Sequence, residues 1–515
     1  VGDQQLGRTV TDENGEKQIQ HAAGYDLTFS ASKSISLYGE VLGDENVKDA
    51  HDEAVKYVLD YVQENLAETR ESVDGQSENV QTDNLIFATF RHNTSRELDP
   101  QTHTHCFVMN ATESEDGKWR SLVSNKLYEE QRVLGALYTS KLAENLIEKG
   151  YKIEIKDTKG NFEIVGFSDE QLKASSTRRA QIEEHLNEQG LDISTATAEE
   201  KERATLTTRV IKKGVSQEKL DLLWKQKAQE LDLNKEKIDK AQTESESLES
   251  LHAKEALKYA EQHLTEREMV FTRSEYIGKA LERSVGQSSP DQILQEFAKQ
   301  QEKGEIIKLN DKQYTTKTMK KLEQDMVAQI KHNQNKIVNV LPEGEIVTRV
   351  DEIEKAQGYA FTQGQRDSIQ LAVGAKSQYI GIQGLSGTGK TTMLKAVRKM
   401  SEEQGFVVRG MAGTNNAAKT LEKETGIESQ TIAMFLMKEK EAQSRMIRSG
   451  QSPTERTPEK WVVDESSFVS QKQMSQIMML SSNSNAQVVL VGDKLQLKAI
   501  EAGKPFEVAQ SQGLK

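Results

Sequence analysis

The sequence predicts two unlike folded ends joined by a helical middle: an α+β domain on an antiparallel sheet, a helical and winged-helix-like stretch, and a parallel α/β lobe. Three observations predict this order. First, "GYDLTFSAS" (24–32), "NLIFATFRH" (84–92) and "HTHCFVMNAT" (103–112) read as strands set among long helical stripes. Second, residues from about 168 to 260 are rich in Glu, Lys, Gln and Ala with few aromatics, as in exposed connecting helices. Third, four β-rich runs after residue 356 ("QYIGIQG", "GFVVRGMAG", "KWVVDESSF" and "AQVVLVGD") alternate with helical segments, which predicts a doubly wound sheet. At roughly 150 residues per domain, the 515 residues divide into 1–215, 216–345 and 346–515.

Composition narrows the class. The formal net charge is −13, so any grip on DNA must be a local basic groove on an acidic body. The single cysteine, Cys106, excludes an intrachain disulfide and suits the reducing cytoplasm. No apolar run reaches the roughly 20 residues of a membrane helix, so no membrane insertion is expected.

In the first region, residues 48–68 carry Ala54, Val55, Val58, Leu59 and Val62 on one helical stripe. A polar loop containing Pro100 joins the second and third strands. A helix over 126–150 ends at Gly150, and 151–167 reads as a hairpin around Lys159-Gly160. Residues 261–318 run helix, turn, helix, short hairpin, the order of a winged helix.

The stretch "RHNTSRELDPQTHTHCFVMN" (91–110) gathers three of the chain's nine histidines. Residues two apart in a strand face the same way, so His103 and His105 point together while Thr102, Thr104 and Cys106 point away. Antiparallel pairing brings His92, at the end of the preceding strand, beside them. Three imidazoles hold a divalent metal with positions left open, and tolerate Mg²⁺, Mn²⁺ or Zn²⁺. The alternative is a polar sheet face that happens to carry histidines. A closed structural zinc site needs a fourth ligand, and Cys106 lies on the opposite face.

In the last region "GLSGTGKT" (384–391) fits G-x-x-x-x-G-K-[ST], follows an apolar strand and opens a helix. Gly384, Gly387 and Gly389 let backbone N–H groups close on phosphates; Lys390 reaches the β- and γ-phosphates of ATP, and Thr391 holds Mg²⁺. "WVVDES" puts Asp464 and Glu465 at a strand end, suited to Mg²⁺ and to activating water. Gln365 is placed to read the adenine edge, and "VGDKLQL" (491–497) presents Gln496. Thr414 and Asn415, after the second strand, are candidates for a nucleic-acid backbone. "RATLTTRVIKKG" (203–214) offers Arg209, or is a plain solvated helix end.

The ordered set over 361–497 resembles motifs Q, I, Ia, II and III of superfamily 1 helicases of the RecD-like branch, which implies a RecA-like lobe and ATP-driven movement on single-stranded DNA. "HAAGYDLTFSASKSISL" (21–37), residues 90–110 and "RSLVSNKLYEEQRVLGALYTSKLAENL" (120–146) resemble the relaxase domain of TrwC/TraI-type (MobF) conjugative relaxase-helicases. That resemblance implies the His-hydrophobe-His endonuclease fold; Thr104 at the middle position departs from the general name but fits this branch. It implies that His92, His103 and His105 hold the metal. It implies that Asp26 orients one of them or takes the nucleophile's proton. A tyrosine then nicks single-stranded DNA at a plasmid transfer origin, and other conjugation proteins are partners. The family's tyrosines are expected upstream of Val1 and its second helicase lobe beyond Lys515. Tyr25, Tyr38 and Tyr128 read as packing residues. This stretch is therefore expected to bind DNA, metal and ATP without full activity. Two rivals stay open: a stand-alone repair-type helicase, and a non-catalytic DNA-binding or assembly protein.

Overall fold

The computed structural model describes residues 8–11, 17–20, 22–73, 75–193, 195–208, 215–266, 269–337, 341–384, 388–493 and 509. The chain forms two compact units, Val1–Ala260 with Arg273–Lys299, and Glu261–Thr272 with Gln300–Lys515. The stretch 168–260, read as connecting helices, lies wholly within the first unit, and the expected 216–345 region is divided between the two.

The first unit is built on three antiparallel strands in the order β1 (Gly24–Ser30), β3 (Pro100–Met109), β2 (Phe87–Thr94). The middle strand alternates without a break: Thr102, Thr104, Cys106 and Val108 are buried, while Gln101, His103, His105 and Phe107 lie half-buried on the other face. Helix α1 (Glu45–Leu66) and helix α2 (Gln131–Glu148) supply the core on the buried side. Ala50, Ala54, Val58 and Val62 recur every four residues along α1 and are fully buried, as the stripe predicts. Asp44 caps α1 by accepting from Val47 N.

Three further helices of this unit matter below. Gln217–Glu230 and Lys235–Glu244 come from the Glu/Lys-rich stretch, and Arg273–Ser284 packs on α2, with Arg132 paired to Glu282. Over 261–318 the elements run Arg273–Ser284, Pro290–Glu302 and the pair Ile306–Lys308/Tyr314–Thr316, but the hairpin falls in the second unit, so these elements do not form one winged-helix unit.

The second unit carries five parallel strands in the order β4 (Tyr379–Gln383), β8 (Gln487–Gly492), β7 (Glu459–Val463), β5 (Val407–Ala412), β6 (Glu428–Thr431). Four match the apolar runs in the sequence. The fifth, β6, reads "ESQT", which carries no apolar signal; pairing with β5 makes it a strand. The sheet is covered on both faces. Trp461, Val463, Val488 and Leu490 pack with Phe435, Met474 and Ile477 on one side. Ile380, Ile382, Val462 and Val489 pack with Ile369, Met393 and Val397 on the other. Near-continuous apolar strands are what a sheet buried on both faces requires. Among the described residues no helix is long and apolar enough to cross a membrane.

Candidate metal centre and nucleotide loop

Register creates the first site. His92 lies directly opposite His103, and Thr28 and Phe90 flank His105 across the neighbouring strands. The three rings form a near-equilateral triangle, with centroids 5.3 Å (His92–His103), 5.5 Å (His92–His105) and 5.4 Å (His103–His105) apart. Rings that share one ion at a metal–nitrogen distance of ~2.1 Å have centroids about 5 Å apart, so the backbone places them at the right separation. The ring planes are not yet turned to one point: His92 and His103 lie 22° from parallel. Among the described residues no three His, Cys, Asp or Glu side chains are already closed to hold an ion. Closing the triangle asks for rotation about the soft terminal torsion of histidine, not for movement of the sheet.

The outer contacts favour a metal site. His105 Nδ1 lies 2.7 Å from Asp26 Oδ2 and 3.0 Å from Thr28 Oγ1. His103 Nδ1 lies 2.9 Å from the Gln101 carbonyl oxygen. A carboxylate and a carbonyl are acceptors, so each Nδ1 carries its proton and each lone pair sits on Nε2. This is the tautomer of a metal-binding histidine steadied by a second partner. The residues present therefore fit a divalent ion.

Behind the site lies a fourth histidine that sequence reasoning passed over. His51 is fully buried on α1; its Nδ1 is 2.7 Å from the Tyr138 hydroxyl and its Nε2 is 2.8 Å from Thr104 Oγ1. Burial, with Arg91 and His103 adding to it, pushes its pKa down to about 4. This contact accounts for Thr104 at the middle position. The hydroxyl satisfies a buried imidazole, which a purely apolar residue would leave unpaired. The available signal was the place of His51 on the apolar stripe, three and four residues before Ala54 and Val55. Cys106 is buried on the same side, and burial pushes its thiol up to about 12, so it is inert. Tyr25 meets Tyr128 edge-on at 6.2 Å, and the buried Tyr38 hydroxyl donates to Asp239.

The second site is local. Gly389 has φ +78°, a conformation that favours glycine, and a Cβ there would lie 2.3 Å from Gln365 Nε2 and displace that side chain. Lys390 opens the helix Lys390–Glu403 and donates to the Gly384 carbonyl at 3.2 Å. Thr391 donates to Glu424 Oε2 at 3.0 Å, a carboxylate the sequence reading did not single out. Asp464 stands at the end of β7; burial raises its pKa, with the Glu465 amide and Lys390 opposing. Glu465 is exposed, at φ +51°. The Gln365 amide is engaged at both ends: Nε2 donates to the Thr388 and Gly389 carbonyls at 3.1 and 3.2 Å, and Oε1 accepts from Thr362 N at 2.9 Å. As placed, it braces the loop. Beside it a cavity of about 300 Å³ is lined by Gln365, Ile382, Thr388, Lys390 and Met393. Thr414 caps the helix Asn415–Thr425 by accepting from Ala417 N, and Asn415 follows it, exposed. Arg209, Gly387 and Gln496 lie outside the described residues.

Residues 1–231 match the TrwC relaxase family, and residues 360–515 match an AAA domain. The first unit thus carries a TrwC relaxase match and the second an AAA match, in that order along one chain. The chain is 34% identical over 299 residues to the multifunctional conjugation protein TraI of Escherichia coli K12, covering 54% of this chain and 16% of that protein. It is 36% identical over 142 residues to the probable conjugal transfer protein TraA of Sinorhizobium fredii, covering 28% of this chain and 12% of that one. The chain thus spans less than a fifth of the length of these curated relatives. Two solved structures of the relaxase TrwC are also similar. One is metal-bound with oriT DNA (36% identity, 45% of this chain, 78% of that chain, TM-score 0.42). The other holds a 27-mer with the recognition hairpin and cleavage site (35% identity, 45% and 81%, TM-score 0.42).

Proposed function

We propose that this chain is the relaxase and first motor lobe of a conjugative DNA-processing enzyme. It acts on single-stranded DNA at a plasmid transfer origin, with ATP as fuel for movement. The observation that supports this reading most is the histidine triangle, tied by Asp26 to the first sheet, in one chain with the phosphate-loop sequence that opens helix Lys390–Glu403. His92, His103 and His105 would hold the divalent ion, His103 and His105 through Nε2, and Mg²⁺ or Mn²⁺ fits oxygen-rich phosphate chemistry better than Zn²⁺. When bound, such an ion supplies Lewis acidity to a phosphate oxygen. Asp26 keeps His105 in its ligating tautomer, and the Gln101 carbonyl does so for His103. In the strand transfer, a tyrosine oxygen bonds to phosphorus, the P–O3′ bond breaks, and the 3′-oxygen leaves as a hydroxyl; the reverse attack rejoins the strand. In the second unit Lys390 and Thr391 would meet the nucleotide's phosphates, Asp464 would support its Mg²⁺, and Glu465 would orient water.

The test uses the 515-residue chain. Mn²⁺ uptake, retention of single-stranded origin DNA and binding of an ATP analogue are measured for the parent, His103→Ala and Lys390→Ala. The reading expects His103→Ala to lose metal and keep nucleotide, and Lys390→Ala to do the reverse. Metal uptake indifferent to His103 would sink it in favour of a plain helicase with a DNA-binding scaffold.

A further inference from the structure

One helix from far along the first unit touches both ends of the loop that joins the histidine-bearing strands. Helix Gln217–Glu230 begins with Gln217, whose Oε1 accepts from Asn93 Nδ2 at 3.1 Å, next to His92. Two turns on, the buried Trp224 donates its Nε1–H to the Leu98 carbonyl at 2.8 Å. One turn further, Lys227 Nζ meets Asp99 Oδ1 at 2.8 Å. Asp99 is only 4% exposed, and Thr177 completes its shell with the backbone N–H at 2.8 Å and the hydroxyl at 3.0 Å.

The part that is held needs holding. Leu98 has φ +65°, a left-handed conformation that a leucine adopts only when its surroundings impose it. A register irregularity between His92 and Thr94 leaves the neighbouring ladder free to twist. On the far side Lys33 donates to the Pro100 carbonyl at 2.7 Å and to Gln101 Oε1 at 3.1 Å. The Gln101 carbonyl is itself the acceptor for His103 Nδ1. Residues 98–101 are thus tied from three separate parts of the chain, immediately before the first ligand of β3.

We propose that helix Gln217–Glu230 is a positioning clamp for the histidine triangle, with Trp224 and Lys227 as its working residues. It sets how His103 stands against His92, so metal affinity depends on a helix that holds no ligand. A ligating constellation must be held to within about 0.5 Å, and a hairpin with a strained loop does not achieve that alone. The proposal rests on the reading of the triangle as a metal site.

The experiment is a Co²⁺ titration of the 515-residue chain, by calorimetry and visible absorption, with amide exchange over residues 95–105 read in the metal-free protein. The variants are Lys227→Met, Lys227→Arg and Trp224→Phe, with His103→Ala as the ligand control. Lys227→Met and Trp224→Phe are expected to weaken Co²⁺ binding about 10-fold and to speed exchange at 95–105, and Lys227→Arg to restore both. Folded Lys227→Met and Trp224→Phe proteins with parental Co²⁺ affinity would overturn the clamp. So would loss in both Lys227 variants alike, which marks mere packing. If Lys227→Met fails to fold, Trp224→Phe decides, since it keeps a six-membered aromatic ring in the pocket and removes the N–H together with the pyrrole half of the indole. A parent chain that takes up no Co²⁺ would overturn the metal reading itself, and the clamp with it.

Discussion

In the first unit three histidines from two strands share one face only because His92 falls opposite His103 in register; in the second, Gly389, Lys390 and Thr391 are consecutive, and one helical turn presents them. The first site is a product of tertiary structure. Its histidines are set by a carboxylate from a third strand (Asp26), by a loop held from helix Gln217–Glu230, and by a buried imidazole behind the sheet. The second carries its geometry in a local turn and borrows only a brace, Gln365, and a neighbouring carboxylate, Glu424. A site of the first kind is sensitive to changes far away in sequence. One of the second kind fails mainly through its own residues.

The largest effects should separate the two sites completely. His103→Ala is expected to weaken metal binding by more than ~100-fold, beyond the range of a lost outer partner, with nucleotide affinity unchanged. Lys390→Ala is expected to cost nucleotide affinity by a similar factor with metal unchanged. Paired titrations of both variants check this. Loss of both ligands in either variant would break the comparison.

Acid and alkali should act on different units. His51 is held neutral with its pKa at about 4, below the ordinary value near 6.5. Between those values the unfolded chain takes up a proton that the folded unit refuses. Stability therefore falls as pH drops from 6.5 towards 4, by up to about 3 kcal/mol. Lys460 in the second unit, 1% exposed, has its pKa lowered to about 7 by burial, and its Nζ rests on the Ala372 carbonyl at 2.6 Å. Here stability rises as pH climbs from 7 towards 10.5, where the unfolded lysine alone is still charged. Guanidinium melts across pH, followed at Trp461 for the second unit and Trp119 for the first, test both slopes. His51→Gln should flatten the acid slope and Lys460→Met the alkaline one.

Asp26→Asn sharpens the contrast further. The amide keeps the shape but presents a weaker acceptor to His105, so metal affinity should drop about 10- to 100-fold while the fold persists. Calorimetric titration with Mn²⁺ checks it. An unchanged affinity would show that the sheet alone sets the ring.

Much of both sites could be read in advance where the signal is local. Strand alternation put His103 and His105 on one face and Cys106 on the other, and antiparallel pairing brought in His92. The strand–loop–helix frame located Lys390, and the apolar run before it located Asp464. The unread parts share one cause: they are contacts between segments whose separation carries no periodic signal. Thr104 looked like a departure from the family's hydrophobe, because its partner His51 is 53 residues away. Gln365 was aimed at adenine, while its amide lies on the Thr388 and Gly389 carbonyls 23 and 24 residues on. Helix Gln217–Glu230 read as part of a solvated connector because Glu, Lys and Gln make up most of it; its function rests on Trp224 and Lys227, whose targets lie 126 and 128 residues back.

The smallest expected effect tests how self-contained the phosphate loop is. Gln365 holds the loop through two hydrogen bonds to its carbonyls, and its other end is fixed by the helix cap at Thr362. Removing the amide leaves Thr388 and Gly389 to water, which reaches this exposed stretch, so the loss is about 1 kcal/mol or less per bond. Gln365→Ala should therefore weaken ATP-analogue binding by about 3- to 10-fold, a factor set by the loop's lost order rather than by a contact to the base. The same measurement with a GTP analogue decides between the two roles. An amide that braces the loop matters equally for both nucleotides, and one that reads adenine matters for ATP alone. Equal losses would mean that even this local site leans on one distant side chain, in the way the histidine triangle leans on several.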